Sequence, residues 1–238
     1  MTETTSTENI DVKAIEAMFK AGAHFGYSRA RRHASVKNDL FGAKNGVDII
    51  DLEKTAVALS DAKKFLFEMG KGGKKVLFVG TKHETRDIVD AAAKSLAMPY
   101  VVERWVGGTL TNWPEIKKRT GRLKELAEKF TKGELEKYTK MERLLFEREL
   151  EKLRREFGGL IDLDGLPTAL VIVDPREEHI AVAEATKMKL PTVALLNSDC
   201  DKSKITYPIL ANDAALQSVA YFVEELKNSY LEGQKEKA

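Results

Sequence analysis

Cysteine is nearly absent from this chain: Cys200 is the only one in 238 residues. That excludes an internal disulfide framework and a zinc site made of cysteines alone, and it fits a reducing compartment. Histidine is scarce too. His24, His33, His83 and His179 are scattered, with no i,i+4 pair to hold a metal on one helix face, so no metal site is expected. No apolar run approaches the roughly 18 residues that span a bilayer. The first nine residues lack the basic-then-apolar order of a secretory signal and are expected to form a disordered tail. An excess of one charge is missing as well: 39 Lys and Arg face 37 Asp and Glu, a net +2. Net charge therefore says nothing about nucleic acid, and only its distribution can.

An alternating α/β pattern is present. Val76-Leu-Phe-Val-Gly80, Ala169-Leu-Val-Ile-Val173 and Thr192-Val-Ala-Leu-Leu196 are continuous apolar runs, as in strands buried on both faces. Shorter strands are expected at 100–102 and near 205–209. Helical spacing covers 84–97, 177–189 and a segment opened by Asn212-Asp213 as N-cap. This order implies a parallel sheet covered by helices on both sides.

Two regions break the alternation. Residues 10–70 begin with an amphipathic helix (Ile15, Met18, Phe19), pass through a basic loop, and carry a hairpin around Asn45-Gly46 before a helix from about 53 to 69. Residues 114–157 hold 14 Lys/Arg and 10 Asp/Glu in 44 positions. Their sparse apolar stripe, including Leu123, Leu126, Tyr138, Met141, Leu145 and Leu153, predicts two antiparallel helices zipped together as a projecting hairpin. Gly133 separates the arms, and the second arm is expected to run about 24 residues, about 35 Å.

Enzyme chemistry finds little support. Gly70-Lys-Gly-Gly73 precedes its strand, whereas a dinucleotide fingerprint needs glycines between strand and helix. No G-x-x-x-x-G-K-[ST] occurs. At the expected switch point stand Thr81, Lys82, Asp174 and Arg176. Asp174-Pro175 reads most simply as a strand-ending turn whose carboxylate caps nearby amides. Cys200, between Asp199 and Asp201, is expected to be an inert thiol.

Local charge is more informative. From Lys20 to Lys44 there are six basic residues and one acidic. Arg29, Arg31, Arg32 and Lys37 cluster with Tyr27 and His33, the composition a phosphate backbone attracts, although a solvated surface loop has the same composition. A second cluster, Lys117-Lys-Arg119 with Arg122, opens the hairpin. Cations there oppose the helix macrodipole, which suggests an outside partner, and a charged helix–helix face is the alternative. Arg104-Trp-Val-Gly-Gly-Thr-Leu-Thr-Asn-Trp113 ends a strand. Its tryptophans suit packing anchors, or stacking on a base.

Several blocks, in order, resemble one family: the second protein of the small ribosomal subunit, bacterial type. They are Glu16-Ala-Met-Phe-Lys-Ala-Gly-Ala-His-Phe-Gly26, Gly46-Val-Asp-Ile-Ile-Asp-Leu-Glu-Lys-Thr55, Val76 to Lys82, Arg104 to Asn112, Pro167 to Pro191 with Asp174, Glu178 and Glu184, and Tyr207-Pro-Ile with Ala211-Asn-Asp213 and Ser218. The resemblance spans about 10–226. It departs at Tyr27, where the family usually has histidine, at Ala34-Ser-Val-Lys-Asn38, and at Asn197-Ser-Asp-Cys-Asp201.

The resemblance implies an α/β, flavodoxin-like three-layer fold with a five-stranded parallel sheet and an inserted, protruding α-helical coiled-coil hairpin. One domain would run over 10–228, with a flexible tail at 229–238. It implies a non-catalytic, cytoplasmic and ribosome-associated protein without cofactor or metal. Its partners would be small-subunit ribosomal RNA, bound at the junction of head and body, neighbouring small-subunit proteins and ribosomal protein one. With the charge distribution, the candidate RNA-binding residues are Tyr27, Arg29, Arg31, Arg32, His33, Lys37, Lys44, Lys82, Arg104, Lys117, Lys118, Arg119 and Arg122. The alternative is a flavodoxin-like nucleotide-binding enzyme using the switch-point crevice.

Overall fold

A computed structural model describes residues 12–237; the expected tail over 1–9 lies outside them. Five parallel strands form the central sheet: β4 (Val76–Val79), β5 (Tyr100–Val101), β6 (Ala169–Val173), β7 (Thr192–Leu196) and β8 (Tyr207–Leu210), in the order β5-β4-β6-β7-β8. That order places the second strand outside the first and the rest on the other side, consistent with a flavodoxin-like fold. Every residue of β4, β6 and β7 is buried, because successive side chains enter two different cores. Val76, Phe78, Val171, Val193 and Leu195 meet one face with α1 (Val12–Lys20), α2 (Leu52–Lys71), α3 (Arg86–Ser95) and α7 (Leu216–Lys237). Leu77, Val79, Leu170, Ile172 and Leu196 belong to the other core, with α4 (Trp113–Thr131), α5 (Lys140–Phe157) and α6 (His179–Lys187).

A small antiparallel sheet precedes this unit, with β1 (Phe25–Ser28), β2 (Leu40–Lys44) and β3 (Val47–Ile50) ordered β1-β3-β2. The expected hairpin is β2–β3. Asn45 (φ 51°) and Gly46 (φ 79°) both adopt the left-handed conformation that a tight two-residue turn requires. Strand β1 replaces part of the expected loop. It packs so closely that a Cβ on Gly26 would lie 3.0 Å from the Asp48 Cβ and from the Ser198 hydroxyl. In α1, Met18 is buried, whereas Phe19 is exposed and stacks on His24.

Two expectations need correction. The C-terminal segment is not a flexible tail, since α7 continues through Lys237. Tyr230 is buried and donates to the Lys74 carbonyl at 2.8 Å, and the Ser229 hydroxyl donates to the Lys63 carbonyl at 2.7 Å. At this crossing a Cβ on Gly70 would collide with the Tyr230 carbonyl, and one on Gly233 with the Phe67 carbonyl, so the two glycines let α2 and α7 touch backbone to backbone.

The second correction is the hairpin's second arm. Residues 132–139 lie outside both helices, and α5 has 18 residues, about 27 Å. It starts at a capping box: the Thr139 side chain accepts from the Glu142 amide while the Glu142 carboxylate accepts from the Thr139 amide. Of the expected stripe, Leu123, Leu126 and Leu153 are buried, whereas Met141 (67%) and Leu145 (55%) are exposed.

Candidate nucleic-acid interface

The pairing of β1 with β3 decides which arginines reach solvent. Arg32 follows β1 and lies beside buried Asp48 on β3, and its guanidinium grips both carboxylate oxygens of Asp48. Arg29 and Arg31 occupy an exposed 3-10 turn just before it. Among the described residues neither has an ion pair; the Arg31 guanidinium lies 5.8 Å from the centre of the Tyr27 ring. His33 is committed to local structure. Its Nδ1 accepts from the Ser35 amide at 3.2 Å, capping the next 3-10 turn, and its own amide donates to the Ser198 carbonyl at 2.8 Å. Lys37 and Lys44 are exposed.

Lys82 sits where β4 ends, with a largely buried side chain. Its ammonium lies 3.1 Å from Asp174 Oδ2, 3.4 Å from the Tyr27 hydroxyl and 3.9 Å from Asp213 Oδ1. Burial opposes the Lys82 charge, but Asp213 and Asp174 outweigh it and raise the pKa. Asp213 Oδ1 also accepts from the Asn197 side-chain carboxamide at 2.9 Å, while its Oδ2 is buried without a partner among the described residues. Burial, then the Asp174 charge, pushes the Asp213 carboxyl up to about 7. Asp174 ends β6 in the left-handed region (φ 62°), and its Oδ1 accepts from the amides of Arg176 and Glu177, the strand-ending turn expected of it. Cys200 is buried, and burial pushes its thiol up to about 12, as suits an inert residue.

Tyr27, Arg31 and Lys82 thus share one open cleft of about 440 Å³ with Asp174, Arg176 and His179. Arg104 lines a neighbouring cleft of about 280 Å³ with Thr81, Arg86 and Glu178. Trp105 is buried and Trp113 half-buried, which makes Trp105 a packing anchor. Lys117, Lys118, Arg119 and Arg122 line neither cleft. Lys118 and Arg119 lie near Glu115 at 3.1 and 3.9 Å. Arg122 reaches across from α4 to α5 and holds Glu149 through Nε and Nη2, at 3.0 and 3.2 Å. A larger cavity of about 750 Å³ between α1, α2 and α7 contains none of the expected residues. Among the described residues, no three His, Cys, Asp or Glu side chains gather to hold a metal ion, and no helix is long and apolar enough to cross a membrane.

A family model described as ribosomal protein S2 matches residues 18–233. The chain belongs to the ribosomal protein S2 family. The S2 match takes in β1 to β8, so both sheets, the α4–α5 hairpin and the clefts beside Lys82 lie inside the shared unit. Among individual relatives, the small ribosomal subunit protein uS2 of Roseiflexus sp. (strain RS-1) is 40% identical over 221 residues, covering 93% of this chain and 84% of its own. That of Paramagnetospirillum magneticum is 41% identical over 219 residues, covering 92% and 82%. The uS2c protein of Mesostigma viride is 40% identical over 223 residues, covering 94% and 98%.

Proposed function

We propose that this S2-family chain is a structural, non-catalytic component of the small ribosomal subunit that binds small-subunit ribosomal RNA at the junction of head and body. The observation that carries it is the unpaired charge of the 20–44 segment. Arg29, Arg31, Lys37 and Lys44 are exposed and have no ion pair among the described residues. Cations already neutralised by protein carboxylates release few counterions on meeting RNA, whereas these four are available to do so. The relatives' names, all small ribosomal subunit proteins, support the same assignment. Arg104 and Lys117 add exposed cations beside the sheet and at the start of α4. The α4–α5 hairpin acts as a projecting coiled coil toward RNA and neighbouring small-subunit proteins, and ribosomal protein one is a further partner. The protein works in the cytoplasm, on the ribosome.

Sedimentation of the native protein tests this: it should travel with small subunits and detach as salt rises. A protein that stays at the top of the gradient and instead binds ATP, GTP, NAD or FMN saturably, with binding lost in Lys82→Ala, would make the enzyme alternative the better account.

A further inference from the structure

The segment joining β5 to the hairpin, residues 104–112, has little regular structure of its own, yet it sets where α4 begins. Its backbone amides find a partner far away in sequence. Glu184, on α6 and nearly fully buried, accepts five hydrogen bonds from this one segment. Oε1 receives the Trp105 indole N–H at 3.2 Å and the Gly108 amide at 2.7 Å. Oε2 receives the Leu110 amide at 2.9 Å, the Thr111 amide at 3.0 Å and the Thr111 hydroxyl at 3.1 Å. Gly108 takes φ 94°, which turns the chain so that donors before and after it, the Trp105 indole and the Leu110 and Thr111 amides, point at one carboxylate. Burial alone would raise the Glu184 pKa; the Thr111, Gly108 and Leu110 amides and the Trp105 indole reverse this and lower it, so the group is a carboxylate at neutral pH.

We propose that Glu184 is the positioning residue of the hairpin: its carboxylate fixes the hairpin's root against the sheet and so presents the α4 cations that no carboxylate holds among the described residues, Lys117 and Lys124, to RNA in one orientation. Only Asn112 separates Thr111 from Trp113, the first residue of α4. The Asn112 amide donates to the Gly108 carbonyl at 2.8 Å, and the Asn112 carbonyl accepts from the Glu115 amide at 3.1 Å, so the clasped turn runs directly into the helix. A carboxylate is the side chain that suits this place, because it is acceptor-only and offers about four lone-pair sites. A carboxamide would turn an N–H₂ toward at least one donor and leave that donor unmatched in a buried site. The inference rests on RNA binding through the hairpin, and its test separates the two.

The test measures affinity for a small-subunit RNA transcript against salt, for the parent, Glu184→Gln and Thr111→Val, at a temperature where melting curves show each protein folded. If the parent does not bind with a steep salt dependence, the RNA-binding reading fails. If it does, Glu184→Gln should bind about tenfold more weakly, with a log K against log salt slope shallower by about 0.9 for each duplex phosphate that the hairpin no longer neutralises. Thr111→Val should move the same way by less, and amide exchange at 108 and 110 should speed up in both. A merely structural role would lower the melting temperature without moving the slope of the folded protein. Folded Glu184→Gln with parental slope and affinity overturns the proposal. Should that variant not fold, an unchanged slope in Thr111→Val overturns it equally.

Discussion

Residues 20–44 and 114–157 are the two basic stretches that interrupt the α/β alternation, and they differ in how much of their charge is matched by nearby acids. In the hairpin, several cations of α4 and the turn after it have acids within reach along the same helix or across it: Lys118 with Glu115, Lys129 with Glu125, Lys132 with Glu128, Arg122 with Glu149. In the first stretch Arg32 is taken up by Asp48, while Arg29 and Arg31 stand outside any such pair among the described residues. The difference is one of share: five of the hairpin's 14 cations are held by carboxylates, against one of six in the first stretch, among the described residues. Charge density along a sequence is therefore a poorer guide to RNA binding than the register that decides which carboxylate lies opposite which arginine.

The two regions also differ in what they do for the fold. Ile116, Leu123, Leu126, Leu150, Leu153 and Phe157 belong to the same buried cluster as Leu77, Val79, Leu170 and Ile172 of the sheet. These parts of α4 and α5 thus belong to a core. Removing buried Leu, Ile or Phe side chains costs about 2–5 kcal/mol each, against a whole-domain stability of roughly 5–15 kcal/mol. Replacing 114–157 with a Gly-Ser bridge should therefore abolish cooperative unfolding, the largest effect expected here. Replacing only 132–139 should leave a sharp thermal transition. A soluble, cooperatively melting protein without the whole hairpin would refute the shared core.

The next effect should be on RNA binding. Arg29→Ala, Arg31→Ala and Lys37→Ala together should make the log K against log salt slope shallower by about 0.9 for each duplex phosphate left unneutralised. The matched hairpin triple, Lys118→Ala, Lys129→Ala and Lys132→Ala, should change it much less. Equal slopes for the two triples would erase the distinction between paired and unpaired cations. Arg32→Ala belongs with neither. It leaves the buried Asp48 carboxylate without its partner, so melting temperature should fall more than for Arg29→Ala.

Much of the sheet is legible in the sequence because strands buried on both faces read as unbroken apolar runs: β6 and β7 fall on the residues those runs occupy. Less legible are elements held by distant partners. Phe25-Gly-Tyr-Ser28 is too short and too poor in β-branched residues to announce β1, which is a strand because β3 lies beside it. The polar end of α7 reads as a tail, when Gly233 within it is the point where α7 meets α2. The start of α5 is present as Thr139-Lys-Met-Glu142, a capping-box pattern, but the hydrophobic stripe draws the expected helix too far forward. In the candidate site, the basic cluster is visible as composition. The expected switch point brings Lys82 to Asp174, whereas the arrival of Tyr27 and Asp213 is not legible, since two further elements supply them.

The gathering of these four residues ties the first stretch to the sheet and gives it a pH dependence opposite in sign to the hairpin's, where hydrogen bonds from Lys129 and from Thr139 hold Glu125 and Glu142 below the usual carboxylate range. Asp213, unfolded, titrates near 3.9, and folded near 7. The folded chain therefore holds an extra proton between about pH 4 and pH 7, and this group's contribution to stability falls as pH rises through that window. Asp174, Asp199 and Lys82 are the charged groups acting on it. The raised Lys82 pKa adds stability that is present at lower pH and would be lost only above about pH 10. Asp213→Asn should be more stable than the parent at pH 8, and their difference should shrink toward pH 4, by on the order of 2–4 kcal/mol in all. Parallel pH–stability curves for the two proteins would contradict the buried acid.

The smallest effect should come from Arg122, and it tests the comparison most finely. Its guanidinium makes two bonds to Glu149 across the hairpin and one to Glu125 at 3.3 Å along its own helix. Both Arg122 and Glu149 remain partly exposed, so water and salt screen the attraction and the side chains lose entropy in holding it. Surface pairs of this kind are worth about 0.2–1 kcal/mol, with bidentate geometry favouring the upper part. A double-mutant cycle with Arg122→Ala and Glu149→Ala should return a coupling of about 0.5–1 kcal/mol that declines in high salt. Because the charge is already engaged by two carboxylates, Arg122→Ala should leave the RNA salt slope unchanged. A slope that drops by about one unit would mean that Arg122 leaves Glu149 for a phosphate when RNA arrives. The paired cations of the hairpin would then be a reserve that RNA can draw on, and the contrast with Arg29 and Arg31 would hold only for the free protein.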